Sequence, residues 1–84
     1  MTAGGLPVVS GRQLIHWLES LGYHIVRQRG SHVRLERWLP AGTHALTIPN
    51  HREIARGTLN DILGAVARAT QQDKHSLIRD LSES

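Results

Sequence analysis

In the stretch SHVRLERW, residues 31–38, polar and apolar side chains alternate from His32 to Glu36, and no other feature of the chain limits its fold as much. Val33 and Leu35 point one way, while His32, Arg34 and Glu36 point the other. A period of two requires an extended strand with one buried face and one open face. The segments on either side have the same character. YHIVRQRG, ahead of it, is rich in β-branched and aromatic residues. THALTIP, after it, alternates again, with Leu46 and Ile48 inward and Thr47 outward. Pro49 ends that third strand because it has no N–H for a ladder. Gly30-Ser31 and the LPAG segment supply the turns. Three short strands joined this tightly form an antiparallel meander with one face in need of cover.

Helical segments stand ready to provide it. Ser10 and Gln13 have the spacing of a capping box, and Val9 with Leu14 that of a hydrophobic staple. Leu14, Trp17, Leu18 and Leu21 then repeat at helical intervals up to Gly22, a residue suited to a left-handed terminus, which predicts a helix over 11–21. Thr58 with Asp61 suggests a second capping box, ahead of a stripe of Leu59, Ile62, Leu63 and Val66. Gly64 inside that helix costs about 1 kcal/mol without breaking the pattern. Thr70 and Asp73 suggest a third cap, before a short helix packing through Leu77, Ile78 and Leu81. The expected fold is α+β: a two-layer α-β-β-β-α sandwich with a short C-terminal helix, its helices on one sheet face.

At 84 residues the chain supports one domain, 1–84, with a small core and a flexible N-terminus over 1–9. It has no cysteine, so neither a disulfide nor a thiolate metal site reinforces it. No apolar run approaches the ~20 residues of a membrane helix. The opening MTAGGLPVVSGR lacks the basic and apolar regions of a signal peptide, so a cytoplasmic location is expected.

Function is expected on the open sheet face. The chain carries a net charge of +3, distributed unevenly. From His24 to Arg56 there are six arginines (Arg27, Arg29, Arg34, Arg37, Arg52 and Arg56) against Glu36 and Glu53 only. Guanidinium groups offer paired donors matched to phosphate. Period two sets His32 and Arg34 on this face, with Arg27 or Arg29 beside them across the hairpin. Gly30 removes a side chain at the turn, so a phosphate or a backbone can approach closely, and successive N–H groups there can form an anion-binding nest. Ser31 adds a hydroxyl next to the imidazole. Each residue also has a plain explanation: a histidine on an exposed strand is commonly just solvated, and Gly30 and Ser31 are ordinary turn residues.

Other chemistries lack their groups. The six histidines form no H-x-x-x-H pair, and no cysteine or carboxylate cluster accompanies them, so neither a metal nor another cofactor is expected. A Ser31–His32 nucleophile pair is disfavoured because adjacent strand residues face opposite ways. A hydrolase built on two carboxylates would need a second acid beside Glu36. There is no phosphate-binding glycine motif of the P-loop or dinucleotide type.

Taken in order, GRQLIHWLESLGY, VRQRGSHVRL, LTIPNH and RGTLNDIL resemble the HicA-type toxins of bacterial toxin–antitoxin modules, from about Ser10 to Leu81. The resemblance rests on the helix ending in L-G-Y, the R-Q-x-G-S-H turn, P-x-H after the third strand and R-G-T-L at the second helix. It implies a double-stranded-RNA-binding-domain-like fold and a ribosome-independent RNA-cleaving activity. It also implies that His32 is the catalytic residue, with Gly30 and Ser31 in its motif, and that a HicB-type antitoxin holds the activity in check. Metal-free RNA cleavage needs a proton taken from the 2′-OH and one given to the leaving 5′-oxygen, and an imidazole exchanges protons near neutral pH. Arg27, Arg29 and Arg34 would stabilise charge on the phosphorane. His51 is the leading candidate for the second proton-transfer group and for RNA contact, although a loop or capping role explains it equally well. The antitoxin is expected to cover the His32 face with acidic and aromatic groups. Two rivals remain: a non-catalytic double-stranded RNA-binding module of the same fold, and a protein-interaction domain with an incidental basic face. The first would want more cations at its second helix than Arg52 and Arg56.

Overall fold

The first helix is closed at both ends by its own sequence. In the computed structural model, which describes residues 5–84, α1 spans Gly11–Ser20. The Ser10 side chain accepts from the Gln13 N–H at 3.0 Å, and Gln13 Oε1 accepts from the Ser10 N–H at 2.8 Å. This is the reciprocal box the spacing predicts. At the far end the Gly22 N–H bonds the Glu19 carbonyl and the Tyr23 N–H bonds that of Leu18, with Gly22 at φ 98°. Both are the bonds of a Schellman motif, whose left-handed residue is most easily a glycine. Leu14, Ile15, Trp17 and Leu18 form the buried face.

Three antiparallel strands follow: β1 (His24–Arg29), β2 (His32–Leu39) and β3 (Gly42–Pro49), in the order β1-β2-β3. The alternation in β2 is realised, with Val33 and Leu35 buried and His32 and Arg34 exposed. Ile48 of β3 is fully buried beside them, and α1 packs against β3. Tyr23, also buried, is hydrogen-bonded through its hydroxyl to His44 Nδ1 at 2.7 Å.

The chain just after β3 is fixed to the start of α1. The Gly11 N–H donates to the His51 carbonyl at 2.8 Å, and the Ile54 N–H donates to that of Val9 at 2.9 Å. Val9 and Ile54 are both buried. The flexible N-terminus expected over 1–9 falls partly outside the described residues, at 1–4.

Residues 55–84, with 5–8, belong to a second compact unit, whose helices α2 (Arg56–Thr70) and α3 (Lys74–Glu83) are in contact with each other. Leu59, Ile62, Leu63 and Val66 of α2 are buried, as are Leu77 and Leu81 of α3; Ile78 is partly exposed. The helix starts differ from expectation. Thr58 does not cap α2, which begins at Arg56 after Ala55, with no side-chain cap. The Leu59 N–H bonds the Ala55 carbonyl at 2.9 Å, so the helical ladder has already started ahead of Thr58. Nothing in Arg56 or Gly57 stops that turn, and a cap contributes only about 1 kcal/mol. At α3 the cap is Asp73, which accepts from the Ser76 N–H at 3.0 Å. Thr70 instead ends α2, donating its hydroxyl to the Val66 carbonyl at 2.7 Å. The order of helix, three antiparallel strands and two helices is the expected α+β layout, consistent with a double-stranded-RNA-binding-domain-like fold.

Candidate active site

The site begins at a two-residue turn. Arg29 pairs with His32, leaving Gly30 and Ser31 as the whole loop. Gly30 has φ 59°, and Ser31 has no positive φ, the pattern of a type II′ hairpin turn with glycine first. A side chain added at Gly30 would meet nothing within 4 Å, so its backbone angle, not crowding, selects glycine. The Ser31 carbonyl accepts the Asn50 N–H at 2.6 Å, which ties the turn to the chain leaving β3.

The same turn sets which side chains join His32, and a β-bulge lies just beyond them. The β1–β2 register shifts between Ile25 and Arg27, with Val26 as the extra residue. Beyond it Arg27 lies opposite Arg34, and Arg29 opposite His32. Without the extra residue, the register set by the turn would place Val26, not Ile25, opposite the inward Leu35. Re-aiming a side chain in this way is a recurrent use of bulges near functional sites. On the other side, His32 pairs with Pro49 and Arg34 with Thr47.

The result is an open recess of about 180 Å³ lined by Arg27, Arg29, His32, Arg34 and Thr47. Three guanidinium groups and one imidazole surround a space large enough for a phosphate group. Arg34 contacts Glu36 through Nε at 3.4 Å, which leaves its terminal amino groups for an anion. Both partners are solvent-accessible, so the pair orients the guanidinium more than it stabilises the fold.

Four of the seven site residues expected from sequence therefore meet in one recess: His32, Arg27, Arg29 and Arg34. Gly30 and Ser31 form the adjoining turn. His51 is exposed past the end of β3, next to Asn50, and does not line the recess. Thr47 is an addition. Its outward direction was legible from alternation, but its place beside Arg34 depends on the β2–β3 register. Among the described residues, no group of three or more His, Asp or Glu side chains is arranged to hold a metal ion. No helix among them is long and apolar enough to cross a membrane.

Comparison with known families gives one match. The family model described as HicA toxin of bacterial toxin-antitoxin matches residues 11–67, from the start of α1 through most of α2, including the turn, the bulge and every residue of the recess. No curated protein and no solved structure was found to match. A match over more than half of the chain, on the elements that build the recess, establishes the assignment: this chain belongs to the HicA family of toxins, one half of a toxin–antitoxin pair.

Proposed function

We propose that this toxin is a metal-independent endoribonuclease that cleaves mRNA, with His32 as its catalytic imidazole. The observation that carries this reading is the recess itself, where an exposed histidine shares about 180 Å³ with three arginines. The scissile phosphate sits among Arg27, Arg29 and Arg34, whose donors match its oxygens. The 2′-oxygen attacks the adjacent phosphorus, forming a P–O2′ bond and breaking the P–O5′ bond. The 2′ proton passes to a base and the 5′-oxygen receives a proton, leaving a cyclic 2′,3′-phosphate and a 5′-hydroxyl. His32 performs one of these transfers, and His51 or water the other. The guanidinium groups stabilise the extra charge on the phosphorane oxygens, where electrostatic help is most valuable. Gly30 and Ser31 leave the approach to the phosphate low and polar.

The same face is the economical place for control. A HicB-type antitoxin with acidic and aromatic groups would compete with phosphate for the guanidinium forks and cover His32. RNA substrate and antitoxin meet this toxin in the cytoplasm.

The test is cleavage of a defined RNA in EDTA, with its ends analysed. Cyclic or 3′-phosphate and 5′-hydroxyl products are expected, and a substrate with a 2′-deoxy sugar at the scissile position should stay intact. Activity lost in EDTA and restored by magnesium would contradict the mechanism.

A further inference from the structure

The chain has two tryptophans, in opposite surroundings. Trp17 is 2% exposed in the core, whereas Trp38 on β2 is 72% exposed. Single exposed apolar residues are common and need no explanation by themselves. The position of Trp38 is what singles it out. His32, Arg34, Glu36 and Trp38 alternate along one strand, so the indole lies on the open face that carries the recess. It is six residues from His32, about 20 Å along the strand. His24 of β1 packs beside the indole, with ring centroids 5.4 Å apart and planes tilted by 41°, which braces it.

The path between Trp38 and the recess suits an extended polymer. The β3 residues opposite it are short: Thr43 pairs with Trp38, Ala45 with Glu36 and Thr47 with Arg34. The one acidic group on the way, Glu36, is matched by Arg34 at 3.4 Å. A protein partner would want a contiguous apolar centre around the aromatic ring. The residues nearest Trp38 by pairing and ring contact are instead His24, Glu36 and Thr43, with the half-exposed Ile25 and Val26 farther along β1. An exposed aromatic ring joined to a cationic recess is the combination used for single-stranded nucleic acid, where bases stack and arginines hold the backbone.

We infer that Trp38, braced by His24, is a base-stacking subsite that holds a single-stranded RNA segment several nucleotides away from the phosphate bound beside His32. This deepens the ribonuclease reading and rests on it. The subsite binds one unpaired base by its face, with little choice among bases, and so favours single-stranded over double-stranded substrate. A strand anchored at both ends covers a span in the range of about 4–16 nucleotides typical of such grooves.

Tryptophan fluorescence reads this directly, since solvent quenching reports on Trp38 while Trp17 is shielded. The probe is a 12-nucleotide single-stranded RNA, 2′-O-methylated throughout so that binding proceeds without cleavage. Saturating RNA should protect the exposed tryptophan from acrylamide. Trp38→Ala should weaken binding of the 12-mer about tenfold, a typical stacking contribution, and Trp38→Phe should recover most of it. A dinucleotide, too short to reach from the recess, should bind the wild type and Trp38→Ala equally. RNA that binds without protecting Trp38, or with equal affinity to Trp38→Ala, overturns this inference alone. Protection of Trp38 by the antitoxin but not by RNA also overturns it and assigns the patch to a protein. Absence of any RNA binding would remove the ribonuclease reading as well.

Discussion

Replacing Gly11 with alanine should unsettle this protein more than its single added methyl suggests. A Cβ at that position would lie 2.5 Å from Asn50 Cα, 2.5 Å from Pro49 O and 2.9 Å from His51 N. All three are backbone atoms, so no side chain can swing aside. Two effects compete. Alanine is favoured over glycine in a helix by about 1 kcal/mol at most, and by less in the first turn. Against that, overpacking costs about 1–3 kcal/mol. Forcing the segments apart also weakens the 2.8 Å bond from the Gly11 N–H to the His51 carbonyl, worth about 0.5–1.5 kcal/mol. The balance is a net loss of about 1–4 kcal/mol. In a domain of this size each kcal/mol lowers Tm by about 4–8 °C, so a fall of about 4–32 °C is expected. Thermal unfolding followed by far-UV circular dichroism measures it. Gly57→Ala is the control, because a Cβ there meets nothing within 4 Å and should be neutral or slightly stabilising. The segment displaced in Gly11→Ala is the one whose Asn50 N–H holds the Ser31 carbonyl, so RNA cleavage should fall even at temperatures where the variant is folded. A Gly11→Ala protein that melts within about 2 °C of wild type would refute the close-approach argument.

Burial pushes the Tyr23 phenol above its ordinary range, with the Arg37 charge working against the shift. The folded state therefore keeps its proton longer than the unfolded chain. The associated stability is fully present below about pH 10 and is lost as pH rises through the folded value. Urea unfolding between pH 8 and 11 should show a steeper decline for wild type than for Tyr23→Phe; equal slopes would contradict this. Tyr23→Phe should also cost about 1 kcal/mol at neutral pH through loss of the bond to His44. Charge reversal at the recess, Arg29→Glu or Arg34→Glu, should weaken both RNA and antitoxin binding and flatten the salt dependence of RNA affinity. Arg68→Glu in α2 and Arg79→Glu in α3 should leave RNA affinity unchanged, as salt titrations of binding would show.

Much of this arrangement can be read along the chain because the deciding interactions are local. The Ser10–Gln13 box spans four residues, the Gly30-Ser31 turn two, and the β2 alternation is set by backbone geometry alone. What could not be read depends on pairing between segments. HIVRQR fits either assignment of faces, and the pairing of Arg29 with His32 and of Arg27 with Arg34 puts both arginines on the recess face. Thr47 joins the recess through its register with Arg34, and the turn is tied to Asn50 across 19 positions of sequence. Thr58 shows the converse: T-x-x-D has the form of a cap, but the helix already passes through it. Trp38 was legible as an outward position, yet nothing in sequence sets His24 against it.

The most direct measurement compares RNA cleavage by wild type and His32→Ala at equal concentration in EDTA, alongside their unfolding curves. His32 is exposed on the open face, so the substitution should change stability by no more than about 0.5 kcal/mol. Cleavage should fall by at least about 100-fold, the low end of what a positioned acid or base contributes, while affinity for uncleavable RNA, held by the three arginines, remains close to wild type. Cleavage by a folded His32→Ala protein at the wild-type rate would contradict the assignment of His32 as the catalytic group.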